Sequence, residues 1–222
     1  MINSWEELEL ACKNCNKCKL CQGRHNVVIE DGNRSAQVMF IGEGPGADED
    51  MTGIPFVGKA GKLMNMALAG VGIKRQEVYI ANVVKCRPPN NRNPEKDEAE
   101  ACQEYLQSQI NLVKPKIIVL LGSVALKNML GEEYGITRAR GKWIEKAGIR
   151  YMPTFHPAAL LRDENKKIDF WKDLKIVKEE IDKLWFMCEM HYKLIIHFDD
   201  VGTGSKPVRI KTYIYIKKYR KM

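Results

Sequence analysis

No apolar run in this sequence is long enough to cross a bilayer: the longest, IIVLLGSVAL, is about half of the ~20 residues a spanning helix needs. Nor does the chain open on a basic export segment, since MINSWEELEL carries acids where such a signal carries lysine or arginine. These absences point to a soluble, cytoplasmic protein. Internal repeats are lacking too. Net positive charge is small over most of the chain: of the net +8, residues 185–222 hold 8 Lys/Arg against 3 Asp/Glu, which leaves +3 for residues 1–184. A broad, uniformly basic face on the main body is thereby excluded, and any nucleic-acid surface there must be local. The cytosol keeps thiols reduced, so a disulfide framework is a poor account of the 7 cysteines. Metal ligation becomes the leading account of those with regular spacing.

What is present fits one well-buried domain, residues 1–184, with a small basic extension at 185–222. Ser4-Trp5-Glu6-Glu7 has the form of a capping box and predicts a helix leading into the cysteines. Buried strands are expected at Gln37–Gly42, Val78–Val84 and Lys116–Gly122, with helices at Gly61–Gly70 and Ser123–Leu130 between and after them. Asn93-Pro94 reads as a cap followed by Pro at the first helical position, opening a helix to Val113. KWIEKAGIRYMPTF predicts a strand pair turning at Ala147-Gly148. HPAALLR then opens a short helix, and an amphipathic helix covers Ile168–Leu184. Such alternation predicts a mainly parallel sheet with helices on both faces, whose ligands sit at the carboxyl ends of the strands. The loop after the first strand, Asn82 and His156 would meet on that rim. In the extension, KLIIHF and VRIKTYIYIKKY alternate around GTGSK, as a hairpin or a poorly ordered tail would.

Cys12, Cys15, Cys18 and Cys21 form an unbroken C-x2-C-x2-C-x2-C run, with Cys86 and Cys102 far along the chain and Cys188 alone in the extension. Thiolates so spaced clasp a tetrahedral metal or an iron–sulfur cluster. Read locally, the four run residues make the ligand set; read with the fold, two of them join Cys86 and Cys102. Cys188 reads as a packing residue. GEGPGADEDMTGIPFVGKAG, Gly42 to Gly61, is a second unusual stretch. Its Gly42-x-Gly44-x-x-Ala47 loosely matches a dinucleotide fingerprint. Pro45, the acids Asp48-Glu49-Asp50 and the lack of a later ribose-binding acid oppose that reading.

Four separated motifs in order, GEGPG, PFVGKAG, NVVKCRPPNNRNP and FHPAALLR, together with the cysteines, resemble family 4 uracil-DNA glycosylases over residues 5–184. The resemblance implies a three-layer α/β/α sandwich with a four-stranded, mainly parallel central sheet. It implies a structural [4Fe–4S] cluster on Cys15, Cys18, Cys86 and Cys102, with Cys12 and Cys21 as departures from the pattern. The implied activity flips uracil out of single- or double-stranded DNA and hydrolyses the N-glycosidic bond, leaving an abasic site. It needs no membrane, nucleotide cofactor or second subunit.

That chemistry assigns roles. Asn82 pairs with the uracil edge, Phe56 stacks on the ring, and Gly42 and Gly44 let backbone approach it. His156 stabilises charge on the departing base. Glu43 and Glu49 are the candidates to orient water and offset a cationic sugar, with Asn91 helping to hold the water; Glu49 alternatively shapes the pocket against the thymine methyl. Leu160 fills the gap in the duplex. Arg162, Lys59 and Arg87, with Lys62, Lys85 and Arg92, form a phosphate rim. Asp48 and Asp50 are expected to be solvated. Three other readings compete: a branch that cross-links covalently to uracil, whose Gln in place of Gly44 and basic loop are absent here; a non-catalytic iron–sulfur or zinc nucleic-acid-binding module; and a dinucleotide-dependent redox enzyme.

Overall fold

The structure, a computed structural model, describes residues 2–199, with side chains as far as residue 186. In chain order the elements are α1 (Trp5–Lys13), β1 (Asp31–Gly32), β2 (Val38–Gly42), α2 (Ala47–Thr52), α3 (Lys59–Gly70), β3 (Tyr79–Asn82), α4 (Lys96–Val113), β4 (Ile117–Leu121), α5 (Gly122–Leu130), α6 (Ile136–Ala139), β5 (Ile144–Lys146), β6 (Ile149–Thr154), α7 (Pro157–Arg162) and α8 (Asn165–Asp199).

Strands β2, β3 and β4 are buried at every position, the mark of sheet covered on both faces. Alternate residues divide between those faces. Met39, Ile41, Ile118 and Leu120 pack in one cluster with Leu8 and Cys12 of α1 and Tyr105 and Leu106 of α4. Phe40, Ile80 and Val119 point the other way and are also fully buried.

The sheet has six strands in the order β1-β3-β2-β4-β6-β5, not the four expected. The inner four are mutually parallel. The two outer strands run antiparallel to their neighbours and are short. β1 has 2 residues, too few to show any periodicity in sequence. β5 belongs to the anticipated strand pair, whose turn places Ala147 at φ 51 and Gly148 at φ 76, the doubly left-handed turn that suits a two-residue hairpin.

Capping chemistry sets the helix ends. Ser4 Oγ accepts from the Glu7 N–H at 3.1 Å, as the sequence predicts, while the Glu7 carboxylate reaches the Asn3 N–H at 2.9 Å. Helix α4 starts later than Asn93-Pro94 suggested. Its cap is Glu95, whose N–H donates to Glu98 at 2.8 Å, and Arg92 grips Glu98 with two bonds of 2.8 and 2.7 Å. A buried, doubly bound carboxylate outweighs the local Asn-Pro signal. Helix α8 runs on past residue 184, so KLIIHF, expected in a hairpin or a poorly ordered tail, is helical. Its run of neighbouring apolar residues fits either period. The chain divides into units Met1–Glu179 and Glu180–Met222. VRIKTYIYIKKY lies outside the described residues, and so does the side chain of Cys188. No helix among the described residues is long and apolar enough to cross a membrane.

Strand register sets where the loops emerge. Gly42 pairs with Asn82, and Leu121 pairs with Thr154, two residues before His156. The parallel strands therefore end level, and their loops share one edge.

Candidate active site

A cleft of about 400 Å³ opens at this carboxyl edge. Of the residues singled out from sequence, Glu43, Gly44, Glu49, Phe56, Lys59, Asn82, Asn91, His156 and Arg162 line it. Gly42 lies just beneath: a Cβ there would stand 2.4 Å from Asn82 Oδ1 and 2.5 Å from the Phe56 ring, so only glycine lets the three meet.

Asn82 and His156 each bring a buried polar atom without a hydrogen-bond partner among the described residues, Oδ1 and Nε2 respectively. Leaving such an atom unpaired costs on the order of 1–3 kcal/mol, so two in one cleft call for a ligand. Their characters are complementary. Asn82 Oδ1 is an acceptor. His156 caps α7, and its Nδ1 accepts from the Ala158 N–H at 3.1 Å, which leaves the ring proton on Nε2 as a donor. Burial, helped by the nearby Arg162 charge, lowers the His156 pKa to about 4. The imidazole is therefore neutral at physiological pH.

Phe56 forms the wall beside His156, with ring centroids 5.7 Å apart and tilted by 37°. Its backbone sits at φ 54, a left-handed conformation that costs a non-glycine residue about 1–3 kcal/mol. Two features hold it there. Arg75 donates to the Pro55 carbonyl at 2.6 Å and the Phe56 carbonyl at 3.3 Å, and is itself paired to Asp31 and Asn65. Helix α3 packs so tightly on the Phe56 backbone that a Cβ on Gly61 would come within 2.0 Å of it.

The acids of the glycine-rich stretch divide sharply. Glu49 is fully engaged: it accepts from the N–H groups of Gly46 at 3.0 Å, Val57 at 2.9 Å and Gly58 at 2.8 Å. It ties the two halves of the loop together. The Glu43 carboxylate makes no hydrogen bond among the described residues and lines the cleft half-buried. Burial raises its pKa, partly offset by Arg162. Asp48 is exposed, as expected, but Asp50 is not solvated: it is 1% exposed and accepts from His25 Nδ1 at 2.7 Å and from the His25 N–H at 3.0 Å. Burial alone would raise its pKa; the bonds from His25 and Asn26 outweigh it and hold the carboxyl low.

At the rim, Lys59 and Arg162 are exposed and face the cleft. Asn91 also lines it, but its Oδ1 accepts from Arg87 Nε at 2.8 Å. Arg87 itself faces a neighbouring groove with Lys19 and Pro89. Lys62 is exposed. Lys85 is 1% exposed and so is no rim residue, whereas Arg92 lines the cleft while bound to Glu98. Leu160 is 1% exposed, whereas Leu161 is 50% exposed. Of the two, Leu161 is the one whose side chain is presented to solvent at the end of α7. Leu161→Ala is expected to slow base release from duplex several-fold more than from single strands, with little change in melting temperature. Leu160→Ala is expected to cost about 2–5 kcal/mol of stability, read by denaturant unfolding.

A family model described as "Uracil DNA glycosylase superfamily" matches residues 29–175. The Type-4 uracil-DNA glycosylase of Thermotoga maritima is 46% identical over 173 residues, 77% of this chain and 88% of that protein. Those of Sulfurisphaera tokodaii and Archaeoglobus fulgidus are 44% and 39% identical, over 80% of this chain and 85% and 94% of theirs. The chain belongs to the type-4 branch of the uracil-DNA glycosylase superfamily.

The iron–sulfur group suggested by the type-4 resemblance can be tested against the thiols. Cys12, Cys86 and Cys102 are buried, and Cys15, Cys18 and Cys21 partly so. Cys18 lies within electrostatic range of Cys15, and Cys102 of Cys15, Cys18 and Cys86. The same ranges take in Cys12 and Cys21, so they gather the six thiols in one region without singling out four. Burial pushes the Cys86 thiol up to about 11 and the Cys102 thiol upward, so only a bound cation would keep them as thiolates. Donors are already in place: Arg24 Nη1 stands 3.3 Å from Cys86 Sγ, and the Lys85 N–H donates to the Cys102 thiol. This donor set fits a thiolate-bound group. Cys12 packs beside it, near Cys102, Cys15 and Cys86. Among the described residues, no three His, Cys, Asp or Glu side chains close round a single ion.

Sequence reasoning for this type-4 glycosylase chain missed Arg75, which positions Phe56, and misplaced Lys85. Neither carries a local signal: each is one basic residue among many, and only burial distinguishes them.

Proposed function

We propose that this protein removes uracil from DNA by hydrolysing the N-glycosidic bond, leaving an abasic site for repair. The observation that carries the reading is the pair of unsatisfied buried atoms, an acceptor on Asn82 and a donor on His156, facing one cleft. A flipped uracil presents the complement. Its N3–H meets Asn82 Oδ1, and its O4 meets the Asn82 amide. Cytosine reverses that pattern and would leave buried groups mispaired. Phe56 covers the ring face.

As the bond breaks, negative charge gathers on uracil O2 and positive charge on the sugar. The neutral His156 offers Nε2–H to that oxygen without a proton transfer. Glu43, free and raised in pKa, takes the proton of the attacking water and faces the cationic sugar. Glu49 holds the loop rather than the water. Asn91 borders the water's approach, while Lys59 and Arg162 meet flanking phosphates.

Cys15, Cys18, Cys86 and Cys102 would hold a [4Fe–4S] cluster, which when bound supplies a structural link between the cysteine run, α4 and the loop after β3. In outline the fold is a helix–sheet–helix sandwich acting as a monomer in a reducing, cytoplasmic setting on single- or double-stranded DNA.

The test is to incubate cluster-loaded protein with a uracil-containing oligonucleotide and assay for free uracil and abasic sites. Release without added nicotinamide cofactor is expected. DNA binding with no base released would instead mark a non-catalytic iron–sulfur binding module.

A further inference from the structure

Lys85 is a buried cation that the proposed chemistry leaves unused. It is 1% exposed, yet no carboxylate among the described residues faces it. Its ammonium donates to the Asn82 carbonyl at 2.6 Å and to Gln109 Oε1 at 2.5 Å. Gln109 is fixed in turn by bonds of 2.8 Å to the Ile29 carbonyl and the Tyr79 hydroxyl. The ionisable groups that face the ammonium are the thiols of Cys102, Cys12 and Cys86. Burying a lysine against neutral oxygens alone costs several kcal/mol, so its charge must be met by something. A group bound by thiolates of Cys86 and Cys102 carries the negative charge this position lacks.

We propose that Lys85 is a positioning residue that couples the cysteine centre to the uracil-reading Asn82. On one side it is the counter-charge of the thiolate-bound group. On the other it fixes the main chain at Asn82, whose side chain has no hydrogen bond at Oδ1 to hold it until a base arrives. Loss of the bound group would release Lys85 from this position and loosen the base-reading residue without touching the cleft. The proposal rests on the assignment of Asn82 to the uracil edge.

The experiment uses the full-length, cluster-loaded chain and its Lys85→Met variant, which keeps the length and removes the charge. Two quantities are measured: the rate at which a ferrous-iron chelator bleaches the visible absorbance, and the inhibition constant of free uracil against base release. Iron is expected to leave at least about tenfold faster, the scale found for groups that support metal ligands. The inhibition constant is expected to rise about tenfold or more, the scale of a lost charged hydrogen bond. Wild-type values for either quantity would overturn the proposal. Lys85→Arg, which preserves charge but not the compact donor, is expected to keep iron at the wild-type rate and still bind free uracil about tenfold less tightly. Rapid iron loss from Lys85→Arg, or wild-type uracil binding, would equally overturn it, and this variant decides the matter if Lys85→Met does not fold. If the wild-type protein itself releases no uracil, it is the functional reading that fails.

Discussion

His156→Ala is expected to lower kcat by roughly 10²–10³-fold, the usual consequence of removing one donor from an oxyanion site. KM should change little, because uracil O2 gains its charge only as the bond breaks. The visible absorbance of the proposed cluster should be unaffected, since His156 lies in the cleft and not among the thiols. A variant with wild-type kcat would remove His156 from the chemistry.

The neutral ring has a second consequence, for stability. With its folded pKa lowered to about 4 by burial, His156 binds no proton between that value and the ~6.5 of an unfolded histidine. Over this range the unfolded chain binds more protons than the folded one at this residue, so stability falls as pH drops from 6.5 toward 4. Melting temperatures measured from pH 7 to pH 4 should decline less steeply in His156→Ala. Catalysis shows the same neutrality: no loss of rate should appear near pH 6.5, because no essential imidazolium forms or disappears there.

Glu43→Gln is expected to cost roughly 10²–10⁴-fold in kcat, the range for a general base. Glutamine keeps the size and polarity but cannot take a proton from water. In the wild type the acid limb of the rate profile should lie above the ordinary glutamate range, because burial raises the Glu43 pKa and protonation disables it as pH falls. Glu49→Gln should behave differently. Its carboxylate accepts three backbone N–H bonds, and an amide can supply only one acceptor oxygen. The expected outcome is a lower melting temperature and a raised KM, from a loosened loop that carries Phe56. If Glu49→Gln instead loses kcat alone while Glu43→Gln stays active, the two acids have been assigned the wrong way round.

Much of the architecture was legible in the residues. Uninterrupted apolar runs such as IIVLL announce strands covered on both faces, and their alternation with helical segments dictates parallel pairing. Parallel pairing in turn brings the loops after β2, β3 and β6 to one edge. The convergence of Glu43, Asn82 and His156 therefore comes from sequence pattern plus the geometry of the sheet. Of the two short outer strands, β5 was legible from its turn at Ala147-Gly148, whereas β1 was not, since two residues carry no period.

Tertiary structure decided which members of each candidate pair are left free to act. Glu43 and Glu49 are both acids in one loop, and only the folded chain shows that three N–H groups satisfy one and none the other. Leu160 and Leu161 are chemically identical neighbours, and the rotation of α7 buries the first and exposes the second. Lys85 stands among basic residues suited to phosphate, yet the strand before it carries it inward to Asn82 and the cysteines. The physical reason is common to all three. Residue type and spacing fix which chemistry a side chain offers, but burial and hydrogen-bond saturation depend on groups distant in sequence, which meet only when the sheet and helices close around them.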